Sequence, residues 1–155
     1  MQFKNLDNLD LGMKKYAYLA IQDVTKDLGL PLGFFGCNIA NLYKRAILQE
    51  HDTRPTSTYK DTVVMIEEEW IEECGDPTQI YREVAKEMRY IYQNLCVYWY
   101  LNNKKEFDNI VEIEQWTSER QKYNFNDSEV RRNEELKCNE DAKYYANSIT
   151  LKNNI

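Results

Sequence analysis

The stretch Pro77–Asn102, PTQIYREVAKEMRYIYQNLCVYWYLN, constrains the fold more than any other part of the chain. Ile80, Val84, Met88, Ile91, Leu95 and Tyr98 recur at three- and four-residue steps, which lays one apolar stripe along a helix. At 1.5 Å per residue that helix spans roughly 36 Å, the width of a small domain. Its last third, Leu95 to Leu101, is apolar or aromatic on every side, so other helices must cover it from several directions. Asp76 is placed to cap it, Pro77 suits the first helical position, and Gln79 stands where a capping-box acceptor belongs.

Helical periodicity near 3.6 recurs on both sides of this stretch, without convincing strand alternation, so the expected class is all-α. The architecture expected is a single-domain bundle of five to six helices around 77–102, with 1–12 as a flexible arm. A helix over 13–28 turns Ala17, Ala20, Ile21, Val24 and Leu28 inward and stops at Gly29. A second helix is expected over 34–50, through Phe35, Ile39, Leu42 and Ala46. A loop over 51–58 holds the only histidine, His51. A third helix, 59–74, presents Val63, Ile66, Trp70, Ile71 and Cys74, and the Gly75-Asp76-Pro77 turn folds it back as an antiparallel hairpin with 77–102. A helix over 104–123 packs through Phe107, Ile110, Val111, Ile113 and Trp116. The last helix, 128–147, has few apolar positions (Val130, Leu136, Ala142, Tyr145), so 128–155 is expected as a peripheral helix and tail.

The charge is −6 over 155 residues, which argues against direct binding to nucleic acid because that requires a basic footprint. The acidity is concentrated. Asp61, Glu67, Glu68, Glu69, Glu72, Glu73 and Asp76 fall in one window that contains no Lys or Arg. Arg120, Lys122, Arg131 and Arg132 make a modest basic cluster, expected as surface charge balance. Cys37, Cys74, Cys96 and Cys138 form no C-x-x-C pair, as expected of free thiols in a reducing compartment. No apolar run reaches the ~20 residues of a membrane span, and the polar, acidic start is unlike a signal peptide. The expectation is a soluble cytoplasmic protein.

One carboxylate constellation has the makings of chemistry. At 100° per residue Glu67 falls inside the apolar sector of its helix and Glu87 at the edge of the central stripe, so the two converge if the hairpin forms. Glu69, Glu72 and Glu83 then complete an oxygen-rich cage suited to Mg²⁺ or Mn²⁺. VVMIEEEWIEEC, a turn, and IYREVAKEMRYIY together resemble the central hairpin of the all-α nucleoside triphosphate pyrophosphohydrolases, the MazG-like family. The resemblance covers about 35 residues and implies an E-x-x-E and an E-x-x-D that hold Mg²⁺ against substrate phosphates. Glu69-x-x-Glu72 matches the first pair and Glu87 opens the second, but Tyr90 stands where the family has Asp. The metal ligands implied by the resemblance are thus Glu69, Glu72 and Glu87, without the fourth.

No P-loop, dinucleotide-binding glycine pattern, nucleophile elbow or zinc spacing occurs in the sequence. The first expectation is therefore a non-enzymatic binding or inhibitor protein with no catalytic residue and no cofactor. It would dock through Glu68, Glu69, Glu72, Glu73 and Asp76, an acidic face that imitates nucleic acid, on a basic nucleic-acid-binding partner protein. In composition such a chain resembles accessory proteins of phages and mobile elements. The alternative is an Mg-dependent pyrophosphohydrolase of the MazG-like type, degenerate at Tyr90. Five tyrosines between Tyr81 and Tyr100 suit a contact surface, and the aromatic inventory is compatible with a homodimer.

Overall fold

The computed structural model describes residues 11–31, 34, 36–40 and 63–155. The fold is an all-α single-domain bundle, with one short parallel ribbon added to it. In chain order the elements are α1 (Lys14–Asp27), β1 (Gly36–Ala40), β2 (Val63–Glu67), α2 (Glu68–Cys74), α3 (Pro77–Leu101), α4 (Ile110–Lys122), α5 (Ser128–Arg132) and α6 (Lys137–Lys152). Among the described residues, no helix is long and apolar enough to cross a membrane.

The central helix is α3, and it starts where the sequence places it. The Asp76 carboxylate accepts hydrogen bonds from the Thr78 and Gln79 amides (3.1 and 3.5 Å), which quiets two of the unpaired donors at the helix start. α1 and α6 run along its first half, where Ala17, Ala20, Ile21 and Val24 meet Ile80, Val84, Met88, Ala146 and Ile149 in one core. α4 covers the second half with Ile113 and Trp116, joined by Phe125, Cys138 and Ala142 in a second core. Trp99 packs against both, so α3 ties the two cores together.

Three sequence expectations are corrected. Residues 36–40 are a strand rather than part of a helix over 34–50, and residues 35 and 41–50 of that segment, like His51, lie outside the described residues. Val63–Glu67, expected as helical, is the second strand, paired in parallel from Gly36↔Val63 to Ala40↔Glu67. The run Val63-Val64-Met65-Ile66 is rich in β-branched residues, and Val64 and Ile66 are buried two apart, the strand period. Helical spacing to Trp70 and Ile71 masked that signal. The helix expected over 104–123 begins only at Ile110, capped by Asn109, and this turns Ile110 and Val111 outward.

The last helix departs most. It is broken between Arg132 and Lys137, and α6 then packs fully against α3 rather than lying at the edge of the bundle. Its buried face is Cys138, Asn139, Ala142, Ala146, Ile149 and Thr150. Small residues let two helices approach closely, so few large apolar side chains are needed for a buried face. The restart is fixed from outside the segment: the Glu119 carboxylate on α4 accepts the Lys137 and Cys138 amides at 2.6 and 2.7 Å. A carboxylate at a helix start is favourable both as acceptor and as charge.

Candidate functional site

The acidic window divides once α2 is placed. Ile71 is fully buried and anchors the short helix, while Glu69, Glu72 and Glu73 are exposed on its outer side. Among the described residues none of these three makes an ion pair. Glu68 pairs with Lys14 at 2.6 Å, and Asp76 is engaged as the α3 cap. Of the five expected docking carboxylates, three therefore form an exposed rim with no ion pair among the described residues, Lys14 acting on Glu72 only through its field, and Glu68 and Asp76 have structural work of their own.

Glu67 and Glu87 come to the same place, but Glu67 reaches it from the end of β2 and not from the helical phase expected of it. With Glu83, Ile66, Trp70 and Val84 they line a hollow of about 190 Å³ between the end of β2, α2 and α3. Glu69 and Glu72 do not line it. Glu87 is ion-paired with Arg131 and Glu83 with Lys86, the latter at 2.9 Å. Among the described residues, no group of three or more His, Cys, Asp or Glu side chains is arranged to hold a metal ion. Tyr90, at the position where the MazG-like pattern has Asp, is a core residue. Its hydroxyl donates to Asn139 Oδ1 at 2.7 Å, and burial pushes its pKa up to about 12.

A buried polar network runs through the second core, and the sequence did not announce it. Arg120, expected on the surface, is only 1% exposed. Its guanidinium donates to the Tyr90 carbonyl and Gln93 Oε1 at 2.9 and 2.8 Å and lies 4.8 Å from the Phe125 ring centroid. Complete burial lowers its pKa below the ordinary value. Gln93 passes the chain on, donating to the Cys138 carbonyl and to Asp141 Oδ2 at 2.9 and 2.8 Å. Asp141 in turn accepts a two-pronged contact from Arg89, at 2.7 and 3.1 Å. Burial works against the Arg89 charge, but the hydrogen bond and field of Asp141 more than offset it and raise its pKa. One signal was available in the sequence: Arg120 lies four residues after Trp116 on the α4 stripe, the inward phase.

A larger cleft, about 690 Å³, opens between α3, α5 and α6. Arg82 and Lys86 stand on its α3 wall, Arg131 and Arg132 on α5, and Lys143 and Tyr144 on α6. The Tyr90–Asn139 hydrogen bond lies at its floor, and Asn139 also donates to the Val130 and Asn133 carbonyls at 2.8 and 2.7 Å. That pins the end of α5 to α6 and gives the cleft fixed walls.

Comparison of the chain with protein-family models, with curated proteins and with solved structures returns no match. The MazG-like resemblance therefore rests on the quoted residues alone, and any functional reading rests on the site's own chemistry.

Proposed function

We propose that the protein is a non-enzymatic binding protein that docks on a basic surface of a macromolecular partner, in the manner of an inhibitor or adaptor. The observation that carries this reading is the rim Glu69, Glu72 and Glu73, three exposed carboxylates that make no ion pair among the described residues, on a helix anchored by Ile71. Anchoring matters because a rigid charge array loses little side-chain and backbone freedom on docking. With no ion pair to these carboxylates among the described residues, the field of the rim reaches solvent and steers a basic partner toward it.

The test is the salt-dependent association of the full chain with partners captured from lysate, compared with Glu69→Lys/Glu72→Lys/Glu73→Lys. A steered complex loses on the order of 10-fold or more in association rate on charge reversal. Capture that is indifferent to the triple reversal rejects the rim. A parallel assay covers the enzymatic alternative: pyrophosphate release from nucleoside triphosphates with Mg²⁺ or Mn²⁺. Release that disappears in Glu72→Gln would replace the binding reading with the pyrophosphohydrolase one.

A further inference from the structure

We propose that the cleft between α3, α5 and α6 is a binding site for a small phosphorylated ligand with an aromatic body, of the nucleoside monophosphate class. This assignment is independent of the acidic rim. It starts from a charge imbalance. The chain carries −6 overall, yet cations from three separate elements converge on this one cleft.

Most of those cations are already matched. Lys86 pairs with Glu83 at 2.9 Å, Lys143 with Glu134 at 3.8 Å, and Arg131 with Glu87. Glu140, the remaining acidic residue at the cleft, is 3.7 Å from Lys137. Arg82 on α3 and Arg132 on α5 have no carboxylate partner among the described residues. Two guanidiniums on different walls of a cleft are a surplus that an anion would neutralise, and the planar fork of Arg matches phosphate oxygens in a two-pronged way. Lys143, held only loosely by an exposed Glu134, is free to swing to the same anion.

The rest of the cleft indicates the body of the ligand. A phosphate alone occupies a small part of about 690 Å³, a volume in the range of sites for small organic molecules. Tyr144 is 75% exposed at the cleft wall, a flat aromatic face on which a base can stack. Asn147, one turn along α6 from Lys143, brings an amide donor and acceptor to the same wall. The floor does not need to move, since Tyr90 and Asn139 are buried and hydrogen-bonded.

The experiment is calorimetric titration of the full chain with adenosine monophosphate at low salt, beside inorganic phosphate and adenosine. The expected result is saturable binding of the nucleotide, weaker binding of phosphate, and none of adenosine. Arg82→Ser/Arg132→Ser weakens the nucleotide about tenfold or more, as two charge-assisted contacts require. Its helical circular dichroism stays that of the wild type, because neither arginine has an ion-pair partner to lose among the described residues. Tyr144→Ala weakens the nucleotide and leaves phosphate unchanged, and Lys104→Ser, outside the cleft, changes neither. Failure to saturate at millimolar nucleotide, or wild-type affinity in the double variant, overturns the site. Equal affinity for phosphate and nucleotide overturns the aromatic subsite at Tyr144.

Discussion

Asp141→Ala is the perturbation whose cost can be worked most directly from the structure. The carboxylate accepts two hydrogen bonds from Arg89 and one from Gln93, and the Arg89 and Asp141 side chains are only 14% and 19% exposed. Removing one partner of a buried ion pair costs about 3–5 kcal/mol, because the other charge stays desolvated. Part of that is recovered here. The Arg89 guanidinium lies 4.5 Å from the Tyr145 ring centroid and 5.1 Å from that of Tyr92, and cation–π attraction retains about 0.5–2 kcal/mol. Residual access of water places the net loss near the lower end, about 3 kcal/mol. For a chain of this size that corresponds to a fall in Tm of about 6–12 °C. Urea unfolding of the wild type, Asp141→Ala, Arg89→Met and the double variant measures both the loss and its origin. Arg89→Met keeps an apolar stem among the rings, so the double variant should regain about 2 kcal/mol over the sum of the singles. A loss below about 1 kcal/mol for Asp141→Ala, or strict additivity, would refute the claim that this pair is buried and coupled.

Asp27 links stability to acid. Partial burial pushes its pKa up, but the hydroxyl of Tyr145 (2.8 Å) and the ammonium of Lys152 (3.1 Å) outweigh that and hold it below the ordinary carboxylate value. A depressed folded-state pKa gives stability that is present above the unfolded pKa and lost as pH falls through the folded one. Asp27→Asn should therefore flatten the stability–pH curve below about pH 4, and an unchanged acid limb would show that the two contacts do not form. Thiol labelling should separate the cysteines: Cys74 is half-buried, whereas Cys96 and Cys138 are buried. Burial pushes the Cys96 thiol up to about 11 and also raises Cys138, so both should label only on unfolding; rapid labelling of Cys138 in the native protein would contradict its place beside α4. Gly75 has φ of +61° with open space where a Cβ would stand, so Gly75→Ala carries a backbone cost alone, about 1 kcal/mol by thermal melting. A much larger loss would point to a steric clash that the structure does not contain.

What the sequence determined was local. The α3 stripe, its Asp76 cap, the inward face of α1 and the reversal at Gly75 are written in neighbouring residues, because a 3.6-residue period, a capping side chain and a left-handed glycine act within a few positions. The same local reasoning expected Glu67 and Glu87 to converge, but from a helical phase that Glu67, at the end of β2, does not have. It failed where the deciding partner lies far along the chain. Val63–Glu67 is a strand because Gly36–Ala40 pairs with it, and apolar spacing alone fits either conformation. α6 restarts at Lys137 because Glu119 caps it from another helix, and it is buried because alanines and a cysteine let α3 come close. Arg120 counts as a surface cation until Gln93 and the Tyr90 carbonyl are seen around it. Net charge and the acidic window were legible in the sequence. Which of the described carboxylates are ion-paired, and that Arg82 and Arg132 share a cleft, required three dimensions, because charge compensation depends on distances across helices rather than along one.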